Sequence, residues 1–356
     1  MVQPPLYAIL LAGGTGTRFW PASRKSRPKQ FLRIVGERSM LAETHARLAG
    51  VVEPEHTLVV TTRDQLDLVR ATLPEIPERN VLAEPQGRNT GPCIALAALE
   101  VRRRAPEAVQ IVLPADHVIR PREAFQSTLR AAVDVALDQR SLLVFGIHPS
   151  FPATAFGWIK AGAVESISRG QPVHSVERFV EKPALARARE FLEQGGYFWN
   201  SGMFVWSSAA IAAALAEFMP AAHAALQQPL APAELERAYA QLDSVAIDVA
   251  VLERARSVRM LPISYFWSDV GSWDALGTVI APDADGNVAS GGARLVTSDA
   301  SGCIAYGAEG SLVALIGVDD LIVVQTGPTT LVCRRDRAQD VKRIVERLQA
   351  ERSEFL

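Results

Sequence analysis

At 356 residues, 48% of them hydrophobic and 21% charged, the chain has an ordinary globular composition and is long enough for one large α/β domain plus a smaller appendage. A formal net charge of −2 argues against a general nucleic-acid binder, so any concentrated positive charge is local. No uninterrupted apolar stretch is long enough to span a bilayer, and no basic segment precedes the first short apolar run, so a cytoplasmic protein is expected.

The first expected strand, Tyr7–Ala12, ends abruptly in Gly13, Gly14 and Gly16, residues that permit positive φ and close backbone approach to a ligand. Six basic residues then fall between Arg18 and Arg33 with no acid among them. Bare amides followed by positive charge suit a polyphosphate. Two familiar phosphate motifs are excluded by spacing: Phe19 stands where a P-loop or a dinucleotide fingerprint needs its later glycine, and Pro21 discourages an immediate helix.

Further strands are expected at Thr57–Thr61, Asn80–Leu82, Val109–Leu113 and Leu142–Phe145. Helical patterns lie between them near Met40–Leu48, Gln65–Leu73, Gly91–Arg104 and Arg122–Leu137. The alternation implies an α/β fold with a mostly parallel sheet and helices on both faces. Ligands in such sheets bind beyond the strand C-termini, so the glycine turn and the turn Pro114-Ala115-Asp116-His117 are expected to meet. The middle region contains Gly157-Trp158-Ile159, a strand at Ser175–Val180, an alanine-rich helical pattern from Ala209 to Leu226, and two aromatic clusters ending in Trp199 and Trp267. After the loop signal at Pro282–Gly286, short strands recur (Ala293–Val296, Cys303–Tyr306, Leu312–Ile316, Leu321–Gln325, Thr330–Cys333), as in a small β-solenoid, and an amphipathic helix near Ala338–Ala350 follows. The expected division is a catalytic domain over 1–283 and a β-rich domain over 284–356.

Asp116 is placed at the rim as a Mg²⁺ ligand or a turn-forming residue, and Asp269, directly after an aromatic strand, as a second carboxylate; Asp274 suits a helix cap near residue 273. His117 reads as structural, because no histidine forms a pair with a serine or cysteine. Neither a nucleophile elbow nor a zinc motif is present. Cys93, Cys303 and Cys333 lack metal-ligand spacing and are expected to be buried free thiols. Lys29 and Lys182 each neighbour a proline that restrains the backbone, which suits a held cation for a phosphate. Glu181 beside Lys182, and Asn200-Ser201-Gly202, add acceptors and an amide suited to a sugar phosphate.

Six motifs in order, LLAGGTGTRFWP…RPKQF, AEPQGRNTGP, LPADH, FVEKP, WNSGMF and FWSDVGSWDAL, resemble those of the mannose-1-phosphate guanylyltransferases, sugar-1-phosphate nucleotidylyltransferases, over nearly the whole chain. The resemblance implies a Rossmann-like nucleotidyltransferase domain with a short β-helical tail, and the reaction of GTP with mannose 1-phosphate to GDP-mannose and diphosphate, assisted by Mg²⁺. It implies that Leu11, Ala12, Gly13, Gly14, Thr15, Gly16, Thr17 and Pro114 hold the nucleotide, with Arg18, Lys29 and Asp116 at the reacting phosphate. Glu84, Gln86, Asn89 and Thr90 are implied at guanine and ribose, with the choice between Glu84 and Gln86 as guanine reader left open. Asp116 and Asp269 are implied as metal ligands, and Gly157, Glu181, Lys182, Asn200 and Gly202 as the mannose 1-phosphate site. No nucleic-acid or membrane partner is implied, and a homodimer is the assembly to test. Some relatives append an isomerase domain for which this chain has no room, so isomerase activity is not expected. Ile247-Asp248-Val249-Ala250 departs from the family's usual Ile-Asp-Tyr-Ala, which touches packing or sugar-site detail. The rival readings are a guanylyltransferase for another sugar 1-phosphate such as manno-heptose 1-phosphate, a nucleotide-sugar sensor without turnover, a dinucleotide oxidoreductase, and an RNA-binding basic segment.

Overall fold

The computed structural model describes residues 4–139 and 141–356. The chain divides into two compact units: one comprises the chain up to Gly13, Arg47–Pro114 and Ile119–Phe266, the other Gly14–Ala46, Ala115–Val118 and Trp267–Leu356.

The first unit is built on nine strands: β1 (Leu6–Leu11), β2 (Thr57–Thr62), β3 (Val81–Glu84), β4 (Val109–Pro114), β5 (Leu142–Ile147), β6 (Trp158–Ser168), β7 (Gln171–Val180), β8 (Tyr197–Ser207) and β9 (Val258–Ile263). Their order in the sheet is β3-β2-β1-β4-β8-β5-β9-β7-β6. β1 to β4 pair in parallel, as do β5 and β9, whereas β8 is antiparallel to both β4 and β5, and β7 to β9. By direction, β7 and β8 are reversed and the rest run one way, so the sheet is mostly parallel as expected. Consecutive residues of a strand point to opposite faces. Tyr7, Ala8, Ile9 and Leu10 are all buried, which requires cover on both faces.

The helix Thr90–Arg104 buries Ile94, Ala97, Ala98 and Val101 in the core that contains Ile9, Leu58, Val60 and Val112. The helix Arg122–Gln139 packs on β4, β5, β6 and β8. The alanine-rich pattern is not one helix but two, Ser208–Phe218 and Pro220–Leu226, because Pro220 cannot donate to the preceding turn and sits in the first turn of the second helix.

In the second unit three strands stack in parallel: Val288–Ser290 pairs with Ile304–Gly307, which pairs with Leu321–Thr326; Thr329–Arg334 then returns antiparallel. Arg294–Ser298 and Leu312–Ile316 form a second parallel pair, the expected solenoid-like arrangement. Alternation splits the burial: Ile304 and Tyr306 join a core with Phe19, Trp20, Leu32, Ile34 and Trp273, while Cys303 and Ala305 join Val313 and Leu315. The closing helix is shorter than its amphipathic pattern, Val341–Ala350 after a 3₁₀ segment Arg335–Asp340. No helix among the described residues is long and apolar enough to cross a membrane. Cys93 and Cys303 are buried free thiols; Cys333 is only half-buried, because it lies on the paired strand before the closing 3₁₀ segment, not inside the solenoid.

Candidate active site

The basic and acidic candidates of the second unit converge on Lys29. The ammonium of this buried residue, 5% exposed overall, donates to Asp116 Oδ2 at 2.7 Å, to the Asp116 carbonyl at 3.3 Å and to the Asp269 carbonyl at 2.7 Å. It also lies 5.4 Å from the Phe19 ring centroid. The glycine turn packs on the same residue: at Gly16, with φ +62°, an added Cβ would overlap that of Lys29. Gln30 Nε2 donates to the Gly14 carbonyl at 3.1 Å and Ser23 Oγ to the Thr15 carbonyl at 2.7 Å, so the turn is tied to the segment that carries Lys29. Thr17 and Arg18 follow in a short 3₁₀ turn. Arg18 Nη1 donates to Gln339 Oε1 at 3.1 Å, and Gln339 in turn donates to Ser272 Oγ at 2.6 Å. Within this unit, then, the glycine turn and Asp116 are linked through Lys29, which touches both.

Burial acts to raise the Asp116 carboxyl, but its side chain keeps 37% exposure, and the adjacent Lys29 ammonium is the main influence that holds it below the usual carboxylate range. The Asp269 carboxyl is raised, first by burial and, after the opposing effect of Lys29, by the like charge of Asp116. The two carboxylates thus sense one another. Asp269 is followed by Val270 at φ +44°, a left-handed conformation rarely adopted by a β-branched residue, whose amide donates to Ser268 Oγ at 3.1 Å. Asp274 is not the cap of the short helix: Ser272 holds that position, with its hydroxyl donating to Asp274 Oδ1. His117 Nδ1 accepts from the Trp267 indole at 3.2 Å, which holds the imidazole in the structural role expected of it.

In the first unit, Leu11 ends β1 and Ala12 is fixed by its amide to the Val60 carbonyl at 2.8 Å and by Thr61 Oγ1 donating to its carbonyl at 2.9 Å. A Cβ on Gly13 would stand 3.4 Å from Glu84 Oε2. Glu84, the last residue of β3, is 3% exposed, and its Oε1 has no hydrogen-bond partner among the described residues. Burial pushes its carboxyl up to about 7, with Cys93 and Tyr239 the hydrogen-bonding neighbours that oppose the rise. Gln86, by contrast, is exposed, and its amide satisfies Arg88 when turned so that its oxygen accepts at 2.9 and 3.1 Å. Asn89 Oδ1 caps the helix at the Thr90 amide (2.8 Å), and Thr90 Oγ1 accepts from the Ile247 amide at 3.0 Å.

A second group surrounds Gly157, where a Cβ would fall 2.6 Å from Glu181 Oε2 and 3.3 Å from Asn200 Cβ. The Asn200 amide donates to the Gly157 carbonyl at 2.8 Å, and Lys182 Nζ to Glu181 Oε1 at 2.6 Å. Gly202, at φ +71°, donates to Asn200 Oδ1 at 3.2 Å, and a Cβ there would lie 3.6 Å from Pro114. The five sugar-phosphate candidates are thus brought together. Reasoning from sequence missed Asp248, which accepts from Asn200 Nδ2 at 2.8 Å, and Glu253, which accepts from the Glu181 amide at 2.9 Å. The Asp248 carboxyl is pushed up to about 7, by burial and then by Glu181. The signal was the Ile-Asp-Val-Ala stretch itself, which forms a π-helical turn over Asp248–Leu252. Val249, the position at which the stretch departs from the Ile-Asp-Tyr-Ala pattern implied by the resemblance, is 40% exposed, so the departure lies at the surface.

Comparison with known proteins places the chain. The nucleotidyl transferase family matches residues 7–286, and the mannoseP isomerase/GMP-like beta-helix domain matches 292–348. The xanthan biosynthesis protein XanB of Xanthomonas campestris pv. campestris is 40% identical, covering 96% of this chain and 73% of that protein. A mannose-1-phosphate guanylyltransferase of Escherichia coli K12 is 37% identical, covering 99% and 75%. A crystal structure described as a mannose-1-phosphate geranyltransferase from Thermus thermophilus superposes with a TM-score of 0.88 at 37% identity, covering 97% of this chain and 99% of the other. The chain belongs to the nucleotidyl transferase family, with mannose-1-phosphate guanylyltransferases among the relatives that match nearly all of its length.

Proposed function

We propose that the protein is a mannose-1-phosphate guanylyltransferase, converting GTP and α-D-mannose 1-phosphate to GDP-mannose and diphosphate. The observation that carries the chemistry is the buried Lys29 ammonium held by Asp116 and the Asp269 carbonyl beside a glycine turn. The substrates are those named by relatives that match nearly the whole of this chain. Residues 1–283 are assigned the catalysis and 284–356 the β-helical tail, a division supported by the two family matches.

A sugar phosphate is largely dianionic at neutral pH, since a phosphate monoester has a second pKa of about 6. Its oxygen attacks the α-phosphorus of GTP, a new P–O bond forms, and the bond to the bridging oxygen breaks to release diphosphate. No general base is needed, which agrees with His117 being engaged by Trp267. Arg18 and Lys29 neutralise charge at the phosphates being separated. The glycine-turn residues Gly13 to Thr17, with Leu11, Ala12 and Pro114, offer backbone to the nucleotide. Glu84, the buried carboxylate of the two guanine candidates, is assigned to the base and Asn89 and Thr90 to its vicinity; Gln86 is engaged by Arg88. Gly157, Glu181, Lys182, Asn200 and Gly202 are assigned to the sugar phosphate.

Mg²⁺ is the proposed cofactor. No group of three or more His, Cys, Asp or Glu side chains suited to a metal occurs among the described residues. Mg²⁺ takes hard oxygen donors and usually only one or two carboxylates from protein, so Asp116 and Asp269 fit it. Bound there, it would offset phosphate charge.

The test is diphosphate release measured for four nucleoside triphosphates against several sugar 1-phosphates. GTP with mannose 1-phosphate should give the highest kcat/KM; preference for another base or for manno-heptose 1-phosphate would overturn the assignment.

A further inference from the structure

Three arginines of the N-terminal basic run, Arg24, Arg27 and Arg33, have no part in the proposed chemistry, yet they line one cleft of about 490 Å³ whose every lining residue belongs to the second unit. Such a volume lies within the range of small-molecule sites, roughly 300–1,000 Å³. Arg24 and Arg27 face each other across a tight turn, with backbone bonds of 3.2 and 3.0 Å between them. Arg24 is fixed: Nη2 donates to Thr329 Oγ1 at 2.8 Å and Nε to the Pro21 carbonyl at 3.2 Å. Arg27 and Arg33 are exposed, and none of the three makes an ion pair among the described residues. Glu309 is the single carboxylate of the lining, so the cleft carries an excess of positive charge. Tyr306, only 8% exposed, is part of the lining, and Gly291 packs directly on its ring: at φ +74°, a Cβ there would fall 2.6 Å from it.

Solvated arginines on an ordinary surface would spread apart to relieve repulsion. Here one is anchored, and all three line one concavity that holds a single carboxylate. The guanidinium fork matches the oxygens of a phosphate group. We propose that this cleft binds an organic phosphate carrying two or more negative charges and regulates the enzyme through the loop that also bears Lys29. Arg27 precedes Lys29 by two residues, with Pro28 restraining the backbone between them. The regulatory half of the proposal rests on the guanylyltransferase reading; the binding half does not.

Isothermal titration of the full chain with glucose 1,6-bisphosphate, and separately with inorganic phosphate, tests it in the wild type, the double variant Arg27→Ala/Arg33→Ala, and Lys29→Ala. The bisphosphate should bind the wild type and Lys29→Ala alike, and the double variant at least ~10-fold more weakly, because two charge-assisted bonds are lost. Inorganic phosphate should bind the same site more weakly than the bisphosphate. Arg27→Gln alone, on an exposed turn, serves if the double variant melts early, and Arg27→Lys should recover part of the affinity. Diphosphate release by the double variant should match the wild type without the bisphosphate and lose its response to it. No binding to the wild type, undiminished binding to the double variant, or loss confined to Lys29→Ala would each overturn the site. Retained binding without any turnover would sink only the guanylyltransferase reading.

Discussion

Lys29→Met keeps the length and apolar stem of a side chain that is only 6% exposed while removing its charge. The wild-type ammonium makes one ion pair and donates to two carbonyls. Breaking a fully buried pair costs about 3–5 kcal/mol. The Asp116 side chain keeps 37% exposure and can be rehydrated, so the stability cost falls to about 1–2 kcal/mol. That corresponds to a melting shift of a few degrees. Loss of one preorganised electrostatic contact to a developing charge should cost about 10²–10³ in rate, or about 3–4 kcal/mol of activation free energy. The catalytic effect should therefore exceed the stability effect clearly. The assay is diphosphate release from GTP and mannose 1-phosphate, with thermal melting on the same preparation. A folded Lys29→Met enzyme turning over within about threefold of wild type would refute the reasoning.

Gly16→Ala should destabilise by at least about 1–2 kcal/mol, since it combines a left-handed φ with overlap on Lys29. Gly14→Ala, with open space around it, should change stability by no more than about 0.5 kcal/mol; equal melting temperatures for the two would contradict the turn geometry. Glu84→Gln tests the raised carboxyl. The folded-state value of about 7 lies above the ordinary glutamate value of 4.5, so ionisation opposes folding: there is no penalty below pH 4.5, it grows as pH rises toward 7, and it is complete above. The variant should be more stable than wild type at pH 8 by up to about 3 kcal/mol, with the gap closing toward pH 4.5; a gap independent of pH would show that the carboxyl is not raised. Asp248→Ala should raise KM for mannose 1-phosphate about tenfold while leaving KM for GTP unchanged, because Asn200 loses its acceptor; Asp248→Asn, which still offers an oxygen, should restore it. Parallel rises in both KM values would argue for general disruption.

What could be read before the structure follows the range of the forces involved. β1, β2 and β4 were legible because a strand buried on both faces must be a continuous apolar run, and Leu58 to Val60 or Ile111 to Leu113 offer nothing else. The reversal of β8 was not legible: Tyr197–Ser207 is as buried as its neighbours, and direction is set by long-range pairing with β4 and β5. The Lys29 cluster was half legible. Its residue types and rim position could be inferred, but the role of the Asp269 backbone carbonyl as an acceptor leaves no mark on a side-chain pattern. Asp248 was overlooked for a similar reason, since a carboxylate that holds Asn200 from an irregular helical turn has no characteristic spacing. Pro220, by contrast, was a local signal that should have split the alanine-rich helix.

Backbone strain gives a view of the site that owes nothing to motif matching. Arg169, Asp299, Asp320 and Arg352 have positive φ in turns and bends, where short-range chain reversal accounts for them. Asn89, Lys182 and Val270 are different, since two are themselves candidate site residues and the third follows Asp269. Asn89, at φ 65° and ψ −173°, occupies a region that essentially belongs to glycine, and Lys182 sits at φ +45° directly before Pro183. Each such conformation costs about 1–3 kcal/mol and persists only when its surroundings hold it. For Val270 the restraint is visible: the side chain is fully buried with Phe19, Trp273 and Leu276, and burial of a valine contributes about 1.5–3 kcal/mol, enough to offset the strain. The core of the second unit thereby fixes the backbone at Asp269, whose carbonyl accepts from Lys29, so hydrophobic packing and the proposed phosphate chemistry share one constraint.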